Sequence, residues 1–244
     1  MQLTVLGSYG PYPAPGGACS GYLLEHEGSK ILLDCGNGVL SRLQKYIKPW
    51  EVEAILLSHL HADHISDLFI LKYALDMARG KQIISDGVKL YLPKEPVEES
   101  QRIPYKEVYQ MNYLDPEEDI TIGPFHITFL PTVHPLDCLA MKIKCVDKTL
   151  VYSGDTEYFP QLEQFAAGCD LFLCEANFQD DDIEASRRNH LSARQAAEIA
   201  QKGEVKKLLL THLPAEKDAE VSLKEAKSAF AQAELVREEK TFSI

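Results

Sequence analysis

The chain has 244 residues, 45% hydrophobic and 25% charged, which places it at the upper end of one globular domain with a substantial core, read as a single domain over 1–244. Its formal net charge of −12, with 37 acidic against 25 basic residues, argues against a protein that grips a long phosphate backbone through a basic face, though not against one that takes a small anionic ligand. No apolar run reaches the roughly 18 residues of a membrane helix, so a membrane span is excluded.

In chain order, Met1–Gly7 lacks a basic start and a long apolar stretch and reads as a first strand, Leu3–Leu6, rather than a leader. Gly7–Gly17, rich in glycine and proline, is a rigid loop without Lys or Arg in its stretch Ser8–Ala18. Gly21–Glu25 and Lys30–Asp34 complete an opening meander. Glu53–Ser58 is an apolar run of buried-strand length, and Ile65–Leu75 reads as a helix, so the intervening His59-Leu60-His61-Ala62-Asp63-His64 sits at a strand-to-helix turn. The segment Lys72–Tyr113 carries Tyr73, Met77, Tyr105, Tyr109, Met111 and Tyr113; such spacing usually means core, and a pocket wall or a dimer contact is the other reading. Asp119–Ile122, Phe125–Leu130, Leu139–Val146 and Thr149–Ser153 give antiparallel strands with turns at Gly123-Pro124 and Asp147-Lys148. A helix over Leu191–Lys202 is opened by Ser192 as N-cap with Gln195 at its third position, and leads to a strand at Val205–Leu210. A helix over Ala215–Ala233 and a short strand near Leu235–Arg237 close the chain. Periodicity alone says mixed α/β. Six cysteines, Cys19, Cys35, Cys138, Cys145, Cys169 and Cys174, lie in or beside apolar runs with no Cys-x-x-Cys pair, as expected of reduced, buried thiols in a cytoplasmic protein.

Three of the eight histidines fall within six residues at 59–64. Zinc and similar ions take imidazole nitrogen and carboxylate oxygen at about 2.0–2.2 Å, three or four donors per site. Residues two apart on an extended exit from a strand face one side, so His59 and His61 can grip one ion while Asp63 and His64, across the helix start, can grip a second. Three other apolar runs end in a donor: Ile127–Val133 at His134, Lys148–Gly154 at Asp155 and Lys207–Thr211 at His212. Carboxyl ends of strands are where open α/β folds build their sites. With Asp155 shared, seven donors supply four contacts to each of two ions. His126, inside a strand, and His26, in a polar turn, are read as structural.

Taken in order, His-x-His-x-Asp-His, the lone His134, Ser153-Gly154-Asp155-Thr156, Cys174-Glu175-Ala176-Asn177, His190-Leu191-Ser192-Ala193 and Thr211-His212 resemble the metallo-β-lactamase superfamily, and within it the ribonuclease Z type of phosphodiesterase. The resemblance runs nearly end to end. It implies a four-layer αβ/βα sandwich with the metals at one edge. It places His59, His61 and His134 on the first ion and Asp63, His64 and His212 on the second, with Asp155 bridging. It makes Asp34 a brace for the metal loop, His190 the proton donor to the leaving oxygen, and Glu175 the group that orients His190; Asp63 belongs with these two among the catalytic residues. The cofactors implied are two divalent ions, zinc by default, with manganese or iron fitting the same donors. A homodimer is expected by family analogy.

The expected chemistry is hydrolysis by a metal-bridging hydroxide with His190 as general acid, acting on a phosphodiester, because an alkoxide leaves poorly without a proton. A small anionic or nucleotide-like substrate is the expected partner. Long nucleic acid is not, since the family's tRNA-gripping arm has no room between His134 and Asp155, and the family's His-Glu-Ala-Thr is replaced by Cys174-Glu175-Ala176-Asn177. The pair Arg187-Arg188 is either a phosphate contact or a solvated charge pair at a helix entry. A secreted β-lactamase is disfavoured by Asp155, which stands where that group carries a thiolate or serine. The alternatives are a glyoxalase II-like thioesterase, which shares the metal set but needs no proton donor at His190, and a metal-binding regulatory module with little turnover.

Overall fold

The computed structural model describes residues 1–185 and 188–244. Among them, fourteen strands form two seven-stranded sheets. The first six strands, β1 (Gln2–Gly7), β2 (Gly21–His26), β3 (Ser29–Leu33), β4 (Ala54–Leu56), β5 (Val88–Leu92) and β6 (Tyr109–Tyr113), belong to one sheet. The next seven, β7 (Ile120–Ile122), β8 (Phe125–Pro131), β9 (Leu139–Cys145), β10 (Lys148–Tyr152), β11 (Leu171–Glu175), β12 (Leu208–Thr211) and β13 (Ala233–Leu235), form the other. The chain then returns to the first sheet with β14 (Thr241–Ser243), which pairs with β1.

Each sheet is half antiparallel and half parallel. In the first, β1, β2 and β3 form a meander, and β3, β4, β5 and β6 then run parallel. In the second, β7 to β10 form the meander, and β10, β11, β12 and β13 run parallel. Parallel neighbours need crossover connections, which here carry helices: α1 (Val39–Leu43), α2 (Ala62–Ile65), α3 (Leu68–Gly80) and α4 (Val97–Ser100) on the first half, and α5 (Pro160–Ala166), α6 (Asp180–Glu184), α7 (Ala193–Lys202) and α8 (Ala219–Ala229) on the second.

Successive strand residues point to opposite faces, and burial on both faces explains the continuous apolar runs. In β3, Ile31 and Leu33 pack between the sheets, whereas Leu32 joins Val39, Leu43, Leu71 and Leu75 of α1 and α3 on the outside. In β12, Leu209 faces the inter-sheet core, and Leu208 and Leu210 pack with Ala196, Ala200 and Ala226 of α7 and α8. The result is helices, sheet, sheet, helices: the four-layer αβ/βα sandwich expected of the resemblance.

Several boundaries differ from the sequence reading for local reasons. The helix expected from Ile65 onward is broken at Ser66-Asp67 into α2 and α3. There the Asp67 side chain accepts the Leu40 amide at 2.7 Å and the Asp67 amide donates to the Cys35 carbonyl at 3.0 Å, tying the break to the loop after β3. The last helix begins at Ala219 rather than Ala215 because Asp218 caps it, accepting the Glu220 amide at 3.0 Å. Strands β5, β6, β11 and β14 were not anticipated. The Ser192 and Gln195 capping box is present, with the Gln195 amide on Ser192 Oγ at 3.2 Å and the Ser192 amide on Gln195 Oε1 at 2.9 Å. All six cysteines are buried and unpaired. Among the described residues no helix is long and apolar enough to cross a membrane.

Candidate metal centre

Strands β3 and β4 of one sheet and β8, β10, β11 and β12 of the other all end at a common edge, and each delivers one polar group or loop there. After β3 comes Asp34, after β4 the stretch Ser58–His64, after β8 His134, after β10 Asp155, at the end of β11 Glu175, and after β12 His212. Asp34 and His212 leave their strands with φ of 57° and 52°, a left-handed turn that non-glycine residues adopt only where surroundings hold it.

The donors converge as two groups. His61 Nδ1 lies 2.9 Å from His59 Nε2 and 3.1 Å from His134 Nε2, and these three with Asp155 present ligand atoms all within 4.8 Å of one another. A neutral imidazole nitrogen can donate one proton at most, so three ring nitrogens facing each other cannot all be satisfied among themselves. Asp63, His64 and His212 make the second group, with His212 Nε2 at 3.1 Å and His64 Nε2 at 3.7 Å from Asp63 Oδ2. Asp155 Oδ2 stands between the groups, 3.7 Å from His59 Nε2, 3.5 Å from His64 Nε2 and 3.3 Å from His212 Nε2. His64 Nε2 and Asp155 Oδ1 are buried with no hydrogen-bond partner. Buried polar atoms without partners are rare and costly, and both are atoms a divalent ion would satisfy. The donor set thus fits divalent-ion binding, and all seven residues named from sequence are brought together.

The support beneath is equally built. Asp34, fully buried, accepts the Ser58 amide at 2.7 Å, Ser58 Oγ at 2.8 Å, Tyr152 OH at 2.6 Å and His64 Nδ1 at 2.8 Å. That last bond fixes the His64 tautomer and leaves Nε2 for the cluster, as expected of a residue behind a metal ligand. His134 Nδ1 donates to the Asn189 carbonyl at 3.2 Å, which does the same for Nε2 of that ring. Burial lowers the pKa of His59 well below the ordinary value, with His64 adding to it; burial with the charge of His134 lowers His61, and burial with the charges of His190 and His64 lowers His134. For His64 burial works the same way but is outweighed by Asp155 and Asp34, which hold its pKa well above the ordinary value. Burial opposes charge on Asp155 and Asp63 too. His212, His64 and His59 overcome it at Asp155, and the hydrogen bond from His212 to Asp63 and the charge of His64 overcome it at Asp63, so both carboxylates titrate low.

His190 lies at the mouth of the cluster. Its Nδ1 meets Glu175 Oε1 at 3.0 Å, and its ring stacks on His212 at 5.2 Å and approaches His134 at 5.6 Å between centroids. Glu175 is fully buried and is itself held by the Thr156 amide at 2.6 Å. Burial disfavours the imidazolium, but Glu175 outweighs it and lifts His190 to about 9. His190 also falls in a third grouping with Asp155 and His212, its Nδ1 3.9 Å from Asp155 Oδ2; Glu175, nearer, takes that nitrogen. His126 pairs with Asp119 at 3.2 Å on the surface, and neither it nor His26 belongs to the cluster. Arg187 lies outside the described residues, and Arg188 is exposed.

Residues not singled out from sequence complete the site. A Cβ on Gly10 would sit 1.9 Å from His212 Nε2, so only glycine lets the loop after β1 close against that ring. A Cβ on Gly36 would meet the Asp63 carbonyl at the same distance. Asn177 Nδ2 donates to the Gly10 carbonyl at 2.8 Å and the His212 carbonyl at 3.0 Å, joining three loops. The signal for Asn177 was its place in the Cys174–Asn177 motif; Gly10 was hidden among the glycines of a loop read only as rigid.

Comparison with known proteins agrees with this geometry. The profile of the family described as the beta-lactamase superfamily domain matches residues 29–213. The probable metallo-hydrolase YhfI of Bacillus subtilis is 36% identical over 230 residues, 94% of each chain, and its crystal structure superposes with a TM-score of 0.95 at 34% identity over 99% of this chain and 98% of that one. Ribonuclease Z of Methanopyrus kandleri is 25% identical over 94% of this chain and 93% of its own. The short form of human tRNase Z has the same fold, with a TM-score of 0.79 at 21% identity over 100% of this chain and 99% of that one.

Proposed function

The chain belongs to the metallo-β-lactamase superfamily of metal-dependent hydrolases, and from that premise we propose that it is a two-metal phosphodiesterase acting on a small anionic, nucleotide-like substrate. The observation that carries this reading is His190: an imidazole whose Nδ1 is held by the buried Glu175 at 3.0 Å, which presents the ring beside the donor cluster as a group able to hand a proton to a departing oxygen. Hydrolysis of a thioester expels a thiolate that needs no such donor, whereas an alkoxide does.

His59, His61, His134 and Asp155 would hold one ion, and Asp63, His64 and His212 with Asp155 the other. When bound, two divalent ions supply Lewis acidity and a water whose pKa falls toward neutrality. The protein's part is positional and protonic. Asp34 and the Asn189 carbonyl orient the donor rings, while Glu175 engages Nδ1 of His190 and leaves Nε2 as the nitrogen that faces substrate. A water so acidified would lose its proton to solvent and supply the oxygen that bonds to phosphorus; as the ester P–O bond breaks, the departing oxygen would take its proton from His190. Between His134 and Asp155 the chain makes only the hairpin of β9 and β10, too short for an arm that grips a folded RNA, which with the net charge of −12 favours a small substrate.

Purified protein supplied with zinc or manganese, assayed on bis(p-nitrophenyl) phosphate, cyclic nucleotides and a thioester, tests the proposal. Phosphodiester cleavage is expected. Cleavage of the thioester alone would replace this reading with a thioesterase, and turnover of none would point to a metal-binding regulatory module.

A further inference from the structure

A phosphodiester carries two ester arms, and two cavities flank the donor cluster. One, of about 400 Å³, opens beside His61 between Ile65, Phe69, Pro96 and Leu136, with Glu99 and Arg102 at its rim. The other, of about 290 Å³, opens beside His134 and shares the Leu136 wall. Both are near the lower end of sizes that enclose small ligands.

The first has the chemistry of a planar ligand. The Arg102 guanidinium lies 5.6 Å from the centroid of Phe69, and Glu99 holds it there through hydrogen bonds of 2.9 and 3.1 Å. Lys72 Nζ lies 5.5 Å from the same ring. Phe69 thus backs the guanidinium, and a braced guanidinium plane is a surface on which nucleic-acid bases stack, while apolar walls remove the water that would compete. The Glu99 carboxylate offers an acceptor for ring or exocyclic N–H groups, which a plain aromatic ester would leave unused. The His134 ring, which His190 approaches at 5.6 Å, lines the second cavity, whereas neither His134 nor His212 lines the first, so the departing oxygen is assigned to the His134 side and the arm that stays on phosphorus to the cavity beside His61.

We propose that the cavity beside His61 is a nucleobase subsite for the retained arm of the substrate, with the Arg102 guanidinium, backed by Phe69, as its stacking surface. The inference rests on the phosphodiesterase reading for its catalytic consequence, but the subsite can be measured without turnover.

The test compares two esters with the same leaving group, thymidine 5′-(p-nitrophenyl phosphate) and methyl p-nitrophenyl phosphate, on the metal-loaded enzyme. The nucleoside ester should be favoured about tenfold in kcat/KM, chiefly through KM, and Phe69→Leu or Arg102→Ala should each cut that ratio several-fold. Phe69→Leu keeps the volume against the core while removing the planar ring. Equal kcat/KM for the two esters, or variants that lower both alike, would overturn the subsite while leaving the phosphodiesterase reading in place. Cleavage of neither ester would count against that reading instead. Binding then decides the subsite by itself: calorimetry should find thymidine 5′-monophosphate bound about tenfold more tightly than 2-deoxyribose 5-phosphate, with the difference lost in Phe69→Leu, and equal affinities would refute it.

Discussion

Asp34 illustrates how much one buried carboxylate can organise. It accepts four hydrogen bonds, from the Ser58 amide and hydroxyl, Tyr152 and His64, and so couples the strand before the histidine motif to the ring of its last member. Its role was legible only through resemblance, because an aspartate after a short strand is equally an ordinary turn residue. His190 stands in the same position: nothing in the stretch Asn189-His190-Leu191 marks it, and its chemistry arises from Glu175, fifteen positions earlier, reaching its Nδ1. His190→Ala is expected to lower phosphodiester turnover about 10²- to 10⁴-fold while leaving two metal equivalents per chain by elemental analysis. Loss of one equivalent would instead make His190 a ligand, the role open to it through its grouping with Asp155 and His212.

Strand ends and the loops that leave them set the site. Because β3, β4, β8, β10, β11 and β12 deliver their carboxyl ends to one edge, donors far apart in sequence meet without long loops. The apolar runs of β4, β10 and β12 were readable as strands because burial on both faces demands continuous Ile, Leu and Val, whereas β8 alternates buried and exposed residues. Strand β6 escaped notice because Tyr-Gln-Met-Asn-Tyr is half polar, and its place comes from parallel pairing with β5 rather than from its own composition. The loop Gly7–Gly17 was legible as rigid but not as part of the site. Its closeness to His212 follows from the amide of Leu213 donating to the Ser8 carbonyl at 2.8 Å and that of Gly10 to Leu213 at 3.2 Å. Gly10→Ala should therefore push the His212 ring aside, since the added Cβ would stand 1.9 Å from Nε2. Metal titration is expected to show the affinity of one ion reduced at least about tenfold and the other little changed; two unaltered sites would mean the loop moves instead.

At the scale of the whole molecule the centre joins the two sheets. Asp34, His59, His61, Asp63 and His64 come from the first, and His134, Asp155, Glu175 and His212 from the second. Ions bound there stabilise the folded chain by linkage, about 2.7 kcal/mol for one site at a free concentration of 100 times Kd. For a protein of this size that corresponds to a rise in Tm of roughly 5–10 °C. Scanning calorimetry before and after a chelator should show that difference, restored by zinc or manganese; an unchanged Tm would mean that no ion bridges the halves. The sequence by itself determined the kind of donors, their order and the edge they occupy, because ligand chemistry restricts a metal site to a few residue types and buried strands write themselves as apolar runs. It also carried the family through motifs spread over nearly the full length. Only the tertiary structure decided which nitrogens meet, that Glu175 claims His190, that Gly10 must lack a side chain, and that two cavities flank the cluster. Those facts depend on distances between strand ends of different sheets, and a one-dimensional pattern records which residues are buried but not what they are buried against.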